Sequence, residues 1–169
     1  MKGSAIALSI AMAMVCGSAM AAAAKADSEF AKKAAQGGMA EVKLGNLAAS
    51  QGADPKIKEF GQHMVTDHSK ANDALQAAAK EENITLPEQP SKQQQDEADR
   101  LAKLHGAEFD KAYAKLMLED HKKDVAEFKK EANSGNDSAV KSFASATLPK
   151  LEDHLRMAQD LPGNGGKNE

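Results

Sequence analysis

Cysteine is nearly absent from this chain. The single one, Cys16, lies in the apolar stretch near the amino terminus. Removal of that stretch leaves no disulfide, no thiolate ligand, no cysteine nucleophile and no attachment point for a c-type haem. Tryptophan is missing, tyrosine occurs once and phenylalanine five times. Runs of β-branched residues are missing too, so nothing reads as a strand. The net charge is -3 at pH 7, and no basic stripe interrupts the acidic balance. The electrostatic footprint of nucleic-acid binding is therefore lacking. No apolar run is long enough to span a bilayer. No serine sits at a strand-to-helix elbow. Gly163-Asn164-Gly165-Gly166-Lys167 is no phosphate loop, because no strand precedes it and no helix follows. Nothing here points to a reaction.

The amino terminus has the pattern of a bacterial secretory signal peptide. Lys2 supplies a positive charge, Ala5 to Val15 is apolar, and Ala19-Met20-Ala21 fits the small-residue cleavage site. Residues 1–21 are expected to be removed, with Ala23 and Ala24 as alternative cleavage points. The rival is a lipoprotein signal ending at Cys16. Val15 speaks against it, since lipid attachment normally needs a small residue just before the cysteine. The expected location is the periplasm or the exterior, free or associated with the envelope. Export without disulfides is consistent, because a domain of this length can be held by its core.

Alanine, lysine, glutamate and glutamine dominate the remainder, which favours helix almost everywhere. The expectation is one all-α domain over residues 27–161, followed by a disordered tail over 162–169. A first helix starts at Asp27 or Ser28 and runs to about Ser50, with Phe30, Ala34, Gly37, Leu44 and Ala48 on one face and Glu41 near its centre. Gly37-Gly38 suggests a close helix approach or a kink. Gly52 ends the helix, Asp54 caps the next and Pro55 opens it. The second helix runs to about Glu82 with Ile57, Phe60, Met64, Ala71, Leu75 and Ala78 inward. His68 projects to the middle of that face, Asp67 to its edge and His63 outside it.

Leu86-Pro87-Glu88-Gln89-Pro90 cannot be helix interior. Ser91 caps a short polar helix that Gly106 can end, and the connector is long enough to let the third main helix lie parallel to the second. That helix covers about Ala107 to Asn133, with Asp120, His121 and Asp124 on or beside its apolar face. Asp137 caps the fourth, whose stripe of Val140, Phe143, Thr147, Leu151, Leu155, Ala158 and Leu161 contains His154. Pro149 should bend it one turn earlier. The expected architecture is a ferritin-like four-helix bundle of two antiparallel helix pairs, with a long connector carrying a short extra helix.

Each main helix thus offers one ligand-type residue inward: Glu41, His68, His121 and His154, with Asp120, Met64 and Met117 as possible additions. Imidazole and carboxylate together suit iron, zinc or manganese. Thioethers one turn from the imidazoles would suit copper, which ranks lower because methionine at helical spacing is normally core filler. The Glu-x-x-His signature of diiron bundles is absent: Val65 and Leu151 stand three residues before His68 and His154. An ordinary ferroxidase centre is therefore not expected.

Several stretches resemble a known family. They are Glu41, Met64-Val65-Thr66-Asp67-His68, Gly106-Ala107-Glu108-Phe109-Asp110 leading to Tyr113 and Met117, His121, and Leu148-Pro149 followed by His154-Leu155. Together they resemble the domain of unknown function 4142 family, secreted bacterial ferritin-like proteins often labelled outer membrane proteins. The resemblance covers about Ser28 to Leu161. It implies the fold, export and inward histidines at 68, 121 and 154, and supplies no reaction. The alternating strands of an outer-membrane barrel are not present.

Two readings stand at this point. One is a single transition-metal site in the bundle core. The other is a non-enzymatic envelope stress or interaction module in which a buried His–Glu hydrogen-bond network is structural. Envelope association, self-association and a protein partner remain open in either.

Overall fold

The computed structural model describes residues 14–136 and 139–164, with side chains from residue 25 onward. Among these residues there are five helices and no strand: α1 (Met14–Gln51), α2 (Pro55–Glu81), α3 (Lys92–Leu101), α4 (Gly106–Ser134) and α5 (Ala139–Gln159). α1 and α2 form one hairpin and α4 and α5 the other. α2 packs on α5 and α1 on α4, which closes a four-helix bundle, and α3 lies against α1 and α4.

Two apolar clusters show the strand-free topology directly. One gathers Leu44 and Ala48 from α1, Ile57 and Phe60 from α2, Phe109 and Tyr113 from α4, and Ala158 from α5. The other gathers Phe30 and Ala31 from α1, Leu75 from α2, Phe128 from α4, and Val140 and Phe143 from α5. The start of α2 thus shares an end of the bundle with the start of α4, so these two helices run parallel, as the length of the connector suggests. Between the clusters, Glu41, His68, His121 and His154 are all buried.

The turns are held by named side chains. Asp54 caps α2 by accepting from the Lys56 backbone N–H at 2.8 Å, with Pro55 first in the helix. The buried Asp110 of α4 clamps the same turn, accepting from the Ala53 and Asp54 N–H groups at 2.9 and 2.7 Å. Ser91 and Gln94 form a reciprocal capping box at the start of α3. Glu82, just past α2, accepts from the Ala139 N–H at 3.0 Å and so places an anion at the amino end of α5.

Close approach of α1 and α2 depends on glycine. A Cβ on Gly45 would lie 2.7 Å from the Gly61 carbonyl oxygen, and a Cβ on Gly61 would lie 2.6 Å from that of Gly45. The two backbones meet there with no room for a side chain. A Cβ on Gly38 would meet only the movable side-chain amide of Asn72, and one on Gly37 would meet open space.

Several expectations need correction. α1 does not start at Asp27 or Ser28 but passes through both, because the alanine-rich stretch before them contains no helix breaker. Asp27 instead accepts from the Asn136 N–H at 3.2 Å, tying α1 to the α4–α5 turn. Ala34 and Gly37 are only half-buried, while Ala31, Ala35 and Gly38 are buried, because α1 faces both α2 and α4 and its inner stripe is wide. Gly106 does not end α3, which stops at Leu101; it opens α4 with φ 57°, a left-handed conformation natural to glycine. Residues Pro162–Asn164 form a turn whose Asn164 amide donates to the Ala158 carbonyl at 3.0 Å. Most of the signal-peptide pattern (residues 1–13), the Asp137 cap and residues 165–169 of the tail lie outside the described residues. No described helix is long and apolar enough to cross a membrane.

Candidate metal centre

His68 comes from the middle of α2, His121 from α4 and His154 from α5. Each sits where the periodic apolar face crosses from one cluster to the other. One ring nitrogen from each can be chosen so that all three lie within 4.8 Å of one another. The ring centroids are 5.3 Å apart for His68 and His154, 5.4 Å for His121 and His154, and 5.8 Å for His68 and His121.

Hydrogen bonding decides the tautomers of two rings. His121 Nδ1 lies 2.9 Å from the Met117 carbonyl oxygen one turn back. A carbonyl only accepts, so Nδ1 carries the proton and Nε2 keeps its lone pair. His154 Nε2 lies 3.0 Å from Asp67 Oδ2. The carboxylate accepts there, which leaves the lone pair on Nδ1. Those two lone-pair nitrogens, and Nε2 of His68, are buried and have no hydrogen-bond partner in the protein. Burial, together with the neighbouring imidazoles, pushes His68 down to about 3 and His121 to about 4. Burial also lowers His154, against the opposing pull of Asp67. His68 and His121 are therefore neutral at pH 7, the protonation state in which imidazole binds a metal.

An ion centred in a triangle of that size sits at most about 2.8 Å from each nitrogen, against roughly 2.0–2.1 Å in zinc–imidazole bonds. Side-chain adjustments of under an ångström would close the difference. The Asp67–His154 pair has the arrangement that orients a ligating histidine through its other nitrogen. Asp67 is also 3.5 Å from Lys150 Nζ, and its carboxyl is held below the ordinary value by the hydrogen bond from His154 and by Lys150, which outweigh its partial burial.

The other expected ligands are elsewhere. Glu41 is buried, but it groups with Asp120 and Asp124, the charges that, after burial, raise its pKa. It is not among the residues of the histidine cluster. Asp120 is half-buried and salt-bridged to Lys123 at 3.3 Å. Met64 and Met117 have buried side chains in the first apolar cluster, and Met117 serves His121 through its backbone carbonyl. His63 and His105 are exposed. The helical pattern puts Asp67 at the edge of its face, with nothing in it that links Asp67 to His154. Such a bond depends on the mutual rotation of two helices, and periodicity within one helix carries no signal of it. Asp153, the sequence neighbour of His154, instead pairs with Arg156 at the surface.

The chain is an all-α helical bundle with three histidines buried across its middle. The chain is a member of the family described as Domain of unknown function (DUF4142), whose model matches residues 14–161. Its fold is similar to that of a protein from Streptomyces coelicolor described as secreted and as DUF305. The two share 16% identity and superpose with a TM-score of 0.66 over 80% of this chain and 90% of the other. No curated protein matches the chain.

Proposed function

We propose that this protein is an exported, ferritin-like bundle that binds one transition-metal ion through His68, His121 and His154. The observation that supports this reading is the set of three buried ring nitrogens without a protein partner. A purely structural network would pair such nitrogens with one another or with Glu41. Leaving them unpaired costs roughly 1–3 kcal/mol each, and a bound cation removes that cost. Without Glu41 the donor set is all nitrogen, which favours zinc or iron over manganese, with copper below them because the methionines serve the core. Export after cleavage near Ala21 is supported by the amino-terminal pattern and by the description of the Streptomyces coelicolor neighbour as secreted.

The test is elemental analysis of the mature chain, purified without a histidine tag from cells supplied with iron, zinc, manganese and copper. One metal ion per chain is expected, and it should be lost in a His68→Ala/His154→Ala variant that keeps its helical circular dichroism. A metal-free protein that also fails to take up any of the four on titration would overturn the reading.

A further inference from the structure

The three histidines are not equally buried. His121 is 0% exposed, His154 2% and His68 6%, so the layer comes nearest to solvent at His68. That ring lines a small cavity of about 30 Å³, together with Gly37 and Gly38 of α1, Asn72 of α2, Asp124 of α4 and Thr147 of α5. The space is about that of one water molecule. A larger cleft of about 500 Å³ opens between α1, α3 and α4. Gly37 and Asp124 line both spaces and so stand where one meets the other. Gly37 is half-buried, and a Cβ built on it meets nothing within 4 Å. Helix packing does not require a glycine there, unlike at Gly45 and Gly61, and glycine weakens a helix interior. What its missing side chain supplies is open room between the cleft and the cavity beside His68.

We infer that the cleft, the wall formed by Gly37 and Asp124, and the small cavity are the path by which a divalent transition-metal ion reaches the core, with His68 the first imidazole it meets. The inference rests on the metal reading above. Lys33 and Lys123 stand on the cleft beside its carboxylates, so its charge is mixed and what it offers an ion is room. The small cavity admits little more than one water, so an ion passing through it sheds most of its hydration. The Asp124 carboxylate, the Asn72 amide and the Thr147 hydroxyl on its lining carry the oxygen atoms that can stand in for the lost waters. The approach from the other side, past Asp67, is poorer. That side chain is 19% exposed, but its carboxylate is already engaged by His154 at 3.0 Å and by the Lys150 ammonium at 3.5 Å. A cation arriving there meets a cation and an occupied carboxylate.

A side chain set on the path raises the barrier to entry and to exit alike and leaves the equilibrium unchanged. The test therefore compares rates with affinity. The metal-free mature chain is mixed with zinc, and the zinc still free is read at intervals with a chromophoric chelator. Release is followed after addition of excess chelator to the loaded protein. In Gly37→Leu, uptake and release should both slow by about tenfold or more, with affinity held within about twofold. Gly37→Ala, which adds one carbon to the open space, should show the same paired slowing to a smaller extent. A Gly37→Leu variant with native circular dichroism that loads as fast as the wild type overturns the path and leaves the histidine site standing. Weaker binding with unslowed release would mean that leucine distorts the site rather than obstructs its approach, and also overturns the path. A wild-type chain that takes up no zinc overturns the metal reading itself, and the path with it.

Discussion

The proton positions on two imidazoles govern what the buried layer can do. His121 is committed by a carbonyl on its own helix and His154 by a carboxylate on another, so both lone pairs are fixed by groups that can only accept. Asp67 therefore fixes the His154 ring that the proposed metal site would use. Asp67→Asn should keep the fold and lower transition-metal affinity by about 10–100-fold, the usual cost of losing such an orienting carboxylate. Competition with a chromophoric chelator measures this, and an unchanged affinity would remove Asp67 from the site. At this scale the inward histidines were legible in the sequence, because each falls in phase with apolar neighbours on its helix. The grouping was not. Glu41 is also in phase, yet it sides with Asp120 and Asp124, because depth along the bundle axis depends on how four helices slide against one another.

Among the elements, the α1–α2 hairpin is the most tightly constrained. The sequence offers the Gly37-Gly38 pair as a close helix approach or a kink; a Cβ on Gly38 would meet the side-chain amide of Asn72, and one on Gly37 would meet nothing within 4 Å. The decisive contact is Gly45 against Gly61, which no local pattern announces, because each glycine is isolated in an ordinary helical stretch. Gly61→Ala forces a Cβ to 2.6 Å from the Gly45 oxygen, 2.8 Å from the Ala48 Cβ and 2.8 Å from the Ala49 nitrogen. Backbone must move, and a loss of about 1–3 kcal/mol is expected. Gly37→Ala meets nothing within 4 Å and should gain about 0.5–1 kcal/mol from helix propensity. Urea midpoints of the two variants should move in opposite directions; movement in the same direction would contradict the packing described. The caps at Asp54 and Ser91 were legible because capping chemistry is local. Asp110 and Glu82 were not, since each reaches a turn more than fifty residues away in sequence.

On the scale of the whole molecule, the bundle's two ends are closed by different chemistry, and one of them titrates. Glu131 at the end of α4 is buried, and its pKa is raised to about 7 by burial and by Asp27, its charged and hydrogen-bonded neighbour, against weaker opposing effects from Lys130 and Lys141. An unfolded glutamate titrates near 4.5. The folded state therefore holds a proton that the unfolded state has released between those values. Its contribution to stability is complete below about 4.5 and is lost as pH rises through about 7. Relative to Glu131→Gln, the native protein should become progressively less stable across that window and level off above it. Thermal midpoints of both proteins between pH 4 and 8 provide the measurement, and a pH-independent difference would rule the linkage out.

The division of the core into two apolar clusters by a buried polar layer also bears on how this sequence selects one packing. Alanine-rich helix faces are nearly uniform, and sliding one helix by a turn exchanges one set of small apolar contacts for another at modest cost. The layer breaks that degeneracy. A one-turn slip of α2 would carry His68 out of reach of His121 and His154 and draw Asp67 away from His154, leaving polar groups stranded against phenylalanine and leucine. The histidines therefore act as a vernier along the bundle axis, specifying the one alignment among many that the small residues alone would accept.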